Sequence, residues 1–545
     1  MRELLAGVSL LAIAIPLNIG YAQIAGLPAT AGLYALVLPT IIYALTVSSR
    51  QLVVSVDAVA SALVASSLAG LAIAGSADYA TLALAQAIIV GIMFLLLAMF
   101  RLGFLANFRS KPILLGFVVV LVLNIMVSQV AKVLGVHVDS VAEFTEKLGQ
   151  LIMGLNTISV FSLLIVVGSV LVLLGGRRLH AVVPWALVVL VAATAFVLLT
   201  NDQQAGVAVL REVPAGPPRL SWPVIEWSMW LVLIPSALAL TMVSTAEGLL
   251  LSRPYAEKRG YKTSPNRDFL AFGLGNIAAG ASASFTVGSS TSRTAAVDQA
   301  GSRTQLPSLV MALGTLLLLL FGTGILADIP SPAIGAVVSV AIIPLLGIRE
   351  FEELWRKYRC EFTVGVFCFL VTLFVGSIMG IIVAFVLTLV NMAKRASNPA
   401  VDVLQASGDL GESLLDDVPA GSVSAPGVIV IRLAAPLFFA NSDMFVQAER
   451  GAIESAGPDL VDHLVIDMEA MTDIDVTGAE SFAGLQTWLS EHQVAPSFSR
   501  VRPEAKHRLR RLELLDEHTV FPTNRAAIAA LSRDNRLSDL PPGEA

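Results

Sequence analysis

The chain has 545 residues, 56% of them hydrophobic and only 14% charged, with a formal net charge of −6. Soluble globular chains carry about one-quarter charged residues, so this composition cannot coat a soluble protein of such length; disorder, a collagen-like repeat and a disulfide scaffold are excluded too. A mean hydropathy of +0.78 and a pI near 5.6 point to a surface largely solvated by lipid, with no basic footprint for nucleic acid.

A spanning helix takes roughly 17–25 mostly apolar residues, or fewer where the helix is broken. Apolar windows in chain order fall at about 4–20, 31–47, 52–72, 80–100, 112–131, 157–175 and 182–200. They continue at about 228–250, 268–284, 289–300, 306–326, 333–347, 360–376 and 378–395. The first string, MRELLAGVSLLAIAIPLNIGYAQIAG, has only Arg2 as a basic start and flows into further spans, so it reads as a transmembrane helix rather than a cleaved signal. Near residue 396 the composition changes to an acidic, Gly/Ser/Pro-rich stretch, which sets a membrane domain over 1–396 and a linker over 397–424. A soluble domain over 425–535 and a tail over 536–545 complete the chain.

Loop charge orients these segments. Gaps after even-numbered segments hold most of the cations, among them Arg50, Arg101, Arg178, Arg259, Lys262, Arg267, Arg303 and Arg356. Gaps after odd-numbered segments hold only Lys132, Lys147, Arg211 and Arg219, among many acids. The even gaps are therefore read as cytoplasmic, and both termini with them.

About fourteen segments suggest two inverted repeats of seven, as in many secondary transporters. The third and tenth segments occupy corresponding positions and share an odd pattern, SSRQLVVSVDAVASAL and SFTVGSSTSRTAAVDQAG. A β-branched run into a Ser-rich start reads as a short strand leading into a half-helix, which survives at membrane depth only where it is buried or lines a cavity. Two half-helix N-termini meeting there each bring about half a positive charge and free N–H groups, an arrangement suited to an anion.

Asp57, Glu247 and Arg293 fall inside predicted spans. An ionised group at the bilayer centre costs about 2.5–3.5 kcal/mol, so such residues pair with each other or face a cavity. Arg293 follows Ser290, Thr291 and Ser292, and a guanidinium with hydroxyls at a helix start suits an oxyanion. Glu247 suits carriage of a proton, or coordination of a cation, beside that anion. Asp57 would repel an anion unless it meets a proton, a cation or Arg293.

The soluble domain alternates strands (PGVIVIRLAAPLFFAN, HLVIDMEAM) with helices, as in a small α/β sheet. Asp475 and Thr477 precede one helix as cap and turn, and Thr477 is alternatively a phosphoacceptor. The six histidines have no zinc spacing and no Gly-rich phosphate loop occurs, so no enzyme constellation exists in the sequence. Cys360 and Cys368 read as inert core thiols.

At these residues the chain resembles the sulfate permease (SulP) family of anion transporters, also called the solute carrier 26 family. The string YAQIAGLPATAGLYALVLPTIIYALTVSSRQLVVSVDAVAS is similar to the family's first signature. AEGLLLSRPYAEKRGYKTSPNRDFLAFGLGNIAAG is similar to its helix-eight glutamate and the loop after it, and FTVGSSTSRTAAVDQAGSRTQL to its helix-ten Ser-Arg motif. PLFFAN with DMEAMTDIDVTG resembles a STAS domain.

The resemblance implies a polytopic α-helical fold of fourteen segments in a seven-plus-seven inverted repeat, followed by a cytoplasmic α/β STAS domain. It also implies an elevator-like movement of a core domain against a gate domain, and a homodimer. By the same likeness the anion sits between segments three and ten, with Tyr21, Ser55, Val56, Ser289, Ser290, Thr291, Ser292 and Arg293 as candidate contacts. Glu247 and Asp57 are the coupling candidates, and Asp475 and Thr477 the regulatory ones. Departures from the family pattern are Leu17, Val47, Ser55-Val56 and Gly288-Ser289.

The function expected is secondary active transport of a small anion across the inner (plasma) membrane. Sulfate comes first and bicarbonate or a dicarboxylate next, by H+- or Na+-coupled symport. The alternatives are an uncoupled exchanger or channel, and, more remotely, a sensor that signals through STAS to a cytoplasmic partner. No cofactor is expected beyond a co-transported H+ or Na+, nor any nucleic acid.

Overall fold

A computed structural model describes residues 2–103, 111–134, 136, 138, 144–154, 160–179, 184–200, 207–210, 213–405, 421–512, 514, 515 and 520–533. The predicted tail and most of the predicted linker lie outside the described residues. The chain forms two compact units, Met1–Thr388 and Leu389–Ala545.

In the first unit the helices are α1 (Arg2–Ile24), α2 (Ala29–Ala35), α3 (Leu38–Thr46), then strand β1 (Val54–Ser55), α4 (Ala58–Leu68), α5 (Ala77–Met99), α6 (Lys111–Leu134) and α7 (Phe144–Met153). There follow α8 (Val160–Leu179), α9 (Trp185–Thr200), α10 (Trp227–Val232), α11 (Ile234–Arg259), α12 (Pro265–Ala281), strand β2 (Gly288–Ser289) and α13 (Thr291–Gln299). The last are α14 (Leu306–Phe321), α15 (Gly324–Ala327), α16 (Ser331–Ile342), α17 (Ile348–Lys357), α18 (Arg359–Val375) and α19 (Ser377–Ser397), whose final residues belong to the second unit. Among the described residues six helical stretches are long and apolar enough to cross a membrane, three of them (29–46, 227–259 and 331–357) made of consecutive helices, and five apolar helices of 10–17 residues accompany them.

Two predicted single segments are broken. The window at 31–47 becomes α2 and α3, because Pro39 in the first turn of α3 lacks the N–H that a continuous helix would need. The window at 228–250 splits at Leu233, ahead of Pro235, for the same reason.

Among the described residues the most extensive helix contact is α5 on α12. A Cβ on Gly91 would lie 2.8 Å from the Gly273 carbonyl oxygen, and one on Gly280 2.5 Å from that of Leu84. Small residues let these two backbones touch where no hydrophobic drive separates helix from lipid. Phe94 then stacks on Phe272 at 5.3 Å, and Tyr43 of α3 joins from the other side at 5.2 Å. This packing seats β2 and α13, which follow α12 in the chain.

The second unit holds a five-stranded sheet in the order β3 (Val401–Leu404), β4 (Gly427–Leu433), β5 (Val461–Asp467), β6 (Ala495–Ser499) and β7 (Val520–Phe521). β3 is an antiparallel edge and the rest are parallel. Helices α20 (Ser442–Ala456), α21 (Val476–Glu491), α22 (Pro503–Arg511) and α23 (Asn524–Leu531) connect or follow these strands. One face of the sheet buries Ile429, Ile431 and Ile466 against Phe445, Phe482 and Leu485. β3 corrects the linker reading. Its Val401, Val403 and Leu404 run opposite Leu433, Ile431 and Val430, so apolar residues pair there inside the stretch read as linker.

Candidate functional site

β1 and β2 pair antiparallel, with Val54 opposite Ser289 and Ser55 opposite Gly288. Each strand is two residues long and runs directly into a half-helix, α4 or α13. The pairing is extended by the Ser290 N–H donating to the Val53 carbonyl at 3.0 Å and by the Val53 N–H donating to Thr294 Oγ1 at 3.1 Å. Asn276 of α12 prepares the strand from behind. Its Oδ1 accepts from the Val287 N–H at 3.0 Å and its Nδ2 donates to the Val287 carbonyl at 3.1 Å. This satisfies the extended backbone that a helix would otherwise satisfy itself.

The two half-helix starts differ, which revises the expectation that both offer free N–H groups. α4 is capped by Asp57, whose Oδ1 accepts from the Ala60 N–H at 2.9 Å, so an internal carboxylate already faces that positive end. α13 has Ser290 as N-cap, but no side chain caps it. The Ser290 hydroxyl instead accepts from Arg293 Nε at 2.8 Å.

Arg293 joins the two repeats. It is 1% exposed, its Nη2 donates to the Val56 carbonyl of the other half-helix start, and its guanidinium lies 5.8 Å from the Tyr21 ring centroid. Its Nη1 has no protein partner, and nor has the buried hydroxyl of Ser289. A buried guanidinium nitrogen left without an acceptor is costly unless a ligand supplies one.

Of the predicted residues, Tyr21, Ser55, Val56, Asp57, Ser289, Ser290 and Arg293 gather here. Thr291 and Ser292 are exposed in the first turn of α13, while Arg293 is buried. Glu247 on α11 is half-buried and close enough to Asp57 for the two carboxylates to interact. Gly288 is where the backbone must come nearest: a Cβ there would sit 2.7 Å from Asp57 Oδ2 and 3.4 Å from Ser244 Oγ.

Ser244, Thr245 and Asn276 were not foreseen. The hydroxyls of Ser244 and Thr245 are buried without partners one turn before Glu247. A Ser-Thr pair at that spacing from an intramembrane acid, and a lone Asn in GLGNIAAGA, were the signals available.

In the second unit Asp475 caps α21, accepting from the Gly478 N–H at 2.7 Å and from the Phe439 N–H at 3.0 Å. Thr477 is exposed in the first turn of that helix. His507, Arg508 and Arg511 line a cavity beside Asp475. Cys368 is buried in the first unit; the Cys360 side chain lies outside the described residues.

Residues 1–368 match the sulfate permease family, and residues 422–527 match the STAS domain. A probable sulfate transporter of Mycobacterium tuberculosis is 32% identical over 536 residues, which covers 97% of this chain and 95% of the relative. Low affinity sulfate transporter 3 of Stylosanthes hamata is 29% identical, with 97% and 87% covered. The structure of the murine Solute Carrier 26 family member A9 anion transporter in the inward-facing state superposes with a TM-score of 0.87 at 22% identity, over 97% of this chain and 91% of that one. The transmembrane domain of a cyanobacterium bicarbonate transporter superposes with a TM-score of 0.61 at 21% identity, over 70% of this chain and 96% of that one. At those identities the two structures speak for the fold alone.

Proposed function

The chain belongs to the sulfate permease family of transporters, and from that premise we propose that it carries a small oxyanion, sulfate first, by secondary active symport with H+ or Na+. Anion transport by a multi-pass membrane protein is the family's activity. Sulfate, its coupling ion and the route are what is proposed, with bicarbonate or a dicarboxylate next in line.

One observation carries the reading: Arg293 is buried, holds Ser290 and Val56 with two of its nitrogens, and keeps Nη1 without a protein acceptor at the uncapped start of α13. An oxyanion placed there accepts from Nη1 and from the first N–H groups of α13, with the Ser289 hydroxyl beside it. Tyr21 supports the guanidinium face and adds a cation–π contact.

Asp57 and Glu247 supply the coupling. Two carboxylates within mutual reach repel when both are ionised, and an entering anion adds to that repulsion. A proton or Na+ held between them removes it, so anion and cation favour each other's binding. Because the half-helices are tied by β1–β2 and Arg293, they would move together, in keeping with an elevator-like step. The same reading places the protein in the inner membrane as a homodimer, with both termini and the STAS domain cytoplasmic. Thr477, exposed at a helix start, is the position through which a cytoplasmic partner would regulate it.

Uptake of labelled sulfate and bicarbonate into proteoliposomes, with an imposed proton gradient, sodium gradient or neither, tests the proposal. Arg293→Ala removes a charge-assisted hydrogen bond of about 1.5–3 kcal/mol and is expected to lower kcat/KM at least about tenfold. Full uptake by a well-folded Arg293→Ala protein would refute the assigned site. Glu247→Gln is expected to abolish gradient-driven accumulation. Counterflow surviving with no gradient dependence even in the unmodified protein would instead make it an exchanger.

A further inference from the structure

Three loops of the first unit meet at its surface: the stretch between α3 and β1, the turn between α11 and α12, and the turn between α13 and α14. Loop charge reads all three as cytoplasmic. Between them lies a cleft of about 610 Å³, and the described residues that line it include Arg50, Lys262, Arg267 and Arg303 and no carboxylate. All four cations are exposed. What separates them from scattered surface charges is that they converge on one concave wall.

Hydrogen bonds between the loops form that wall in advance. Gln305 Nε2 donates to the Ser49 and Leu52 carbonyls at 3.0 and 2.9 Å, and the Ser264 N–H donates to Ser48 Oγ at 2.8 Å. The Arg50 N–H donates to Tyr261 Oη at 3.1 Å, and the Arg50 guanidinium lies 5.1 Å from the Tyr261 ring centroid. Arg267 Nε donates to the Thr46 carbonyl at 2.9 Å, leaving its two Nη groups for a ligand. Two acids stand near the cleft, and loop donors engage both. Asp268 is buried and its Oδ1 accepts from the Ser48 N–H and hydroxyl, while Glu3 accepts from the Arg303 N–H and the Ser302 hydroxyl. Arg267 is close enough to Asp268 to feel its charge. Lys262 Nζ and the Arg303 guanidinium make no hydrogen bond or ion pair among the described residues.

Several cations on a preformed wall favour one multivalent anion over separate monovalent ones, because many contacts follow from ordering a single ligand. Ligand clefts span about 300–1,000 Å³, so a lone tetrahedral oxyanion would fill little of this one. Guanidinium forks match the spacing of phosphate oxygens. We propose that the cleft binds a multivalent phosphate group, carried either by an anionic lipid at the membrane surface or by a free polyphosphate. Because its loops lead into β1 and out of α13, an occupant would brace both half-helix segments from one end. The site is separate from Arg293 and does not depend on which anion is transported.

Calorimetric titration of tripolyphosphate into the full-length protein, held in phosphatidylcholine nanodiscs, tests this. Saturable binding of one tripolyphosphate per chain is expected. Lys262→Gln combined with Arg303→Gln should weaken it at least about tenfold, at about fivefold per cation, while Lys262→Arg with Arg303→Lys stays close to the unmodified protein. If the Gln double variant does not fold, Lys262→Gln alone is read, with a loss of about fivefold. The absence of saturable binding overturns the proposal, and so does an affinity unchanged by the Gln substitutions. Binding lost in Arg293→Ala but kept in the Gln double variant would place tripolyphosphate at the central site and overturn it too. Nanodiscs containing cardiolipin separate the two sources. An affinity lowered at least about tenfold there, with the Gln double variant insensitive to cardiolipin, identifies lipid phosphate as the occupant. An affinity unchanged by cardiolipin identifies a free polyphosphate.

Discussion

Arg293 and Gly288 show how closely the central site is fitted. Arg293 uses two nitrogens to hold the half-helix starts and keeps a third, Nη1, without a protein acceptor. Gly288 leaves the space in which the Asp57 carboxylate sits, since a Cβ would approach Oδ2 to 2.7 Å. Gly288→Ala must therefore push Asp57 off its cap or part the strands, a steric cost of about 1–3 kcal/mol. Transport is expected to fall at least about tenfold, more than a Tm lowered by a few degrees accounts for, as measured by proteoliposome uptake beside a thermal melt.

Glu449 in the STAS domain poses the opposite case: it is fully buried and neither carboxylate oxygen has a hydrogen-bond partner. Burial pushes its carboxyl well above the usual range. A raised carboxyl favours the folded state below the unfolded value of about 4.3, and that support is lost as pH rises towards the folded value. At neutral pH Glu449 therefore destabilises the domain. Glu449→Met is expected to slow hydrogen exchange of the β4 and β5 amides in the full-length protein. The difference from the unmodified protein should grow as pH rises from about 5 to 8. Asp467 works in the other sense. Burial raises its carboxyl, but hydrogen bonds from Arg500, Asn524, the Glu469 N–H and Arg432 outweigh it and hold the group below the usual range. Its stabilising effect is present above about 3.9 and fades as pH falls.

Elements in the membrane unit are held at their ends by ion pairs as well as by packing. Asp298, 6% exposed near the end of α13, accepts from Lys258 Nζ at 2.7 Å and from Arg259 Nε at 2.9 Å, both at the end of α11. The half-helix that carries Arg293 is thereby tied to the helix that carries Glu247. Asp298→Asn leaves the two cations without their carboxylate. Because Lys258 is largely exposed, the expected loss is modest, about 1–2 kcal/mol, seen as a Tm lower by a few degrees. Uptake at saturating anion should fall more than this stability change explains, if the link carries motion between the two helices.

The half-helices themselves were legible from Ser-rich starts after β-branched runs, because an extended stretch at membrane depth leaves that mark. Their different caps were not. Whether Asp57 turns back onto Ala60 or forward to a ligand depends on the neighbouring β2, more than two hundred residues away in the chain. The edge strand β3 was missed for a related reason: four residues of strand inside a polar stretch have too little periodicity until β4 lies beside them.

For the whole molecule, the charge of the loops remains the best guide to orientation. Single cysteines placed in a background lacking Cys360 and Cys368 test it with a membrane-impermeant maleimide. Ser221→Cys is expected to label from outside intact cells, and Lys262→Cys only after the membrane is opened. The reverse pattern would invert the topology and place the STAS domain outside.

The sequence by itself determined the class of the protein. A charge deficit cannot be hidden in water, spans must be apolar, and intramembrane ions are rare enough to mark a site, so lipid exposure, the STAS tail and Asp57, Glu247 and Arg293 could all be read along the chain. Only the tertiary structure decided which groups share that site and which are already satisfied. Ser244 and Asn276 acquire meaning from approaches between distant segments, and hydrogen-bond satisfaction is a property of such approaches rather than of any one stretch of chain.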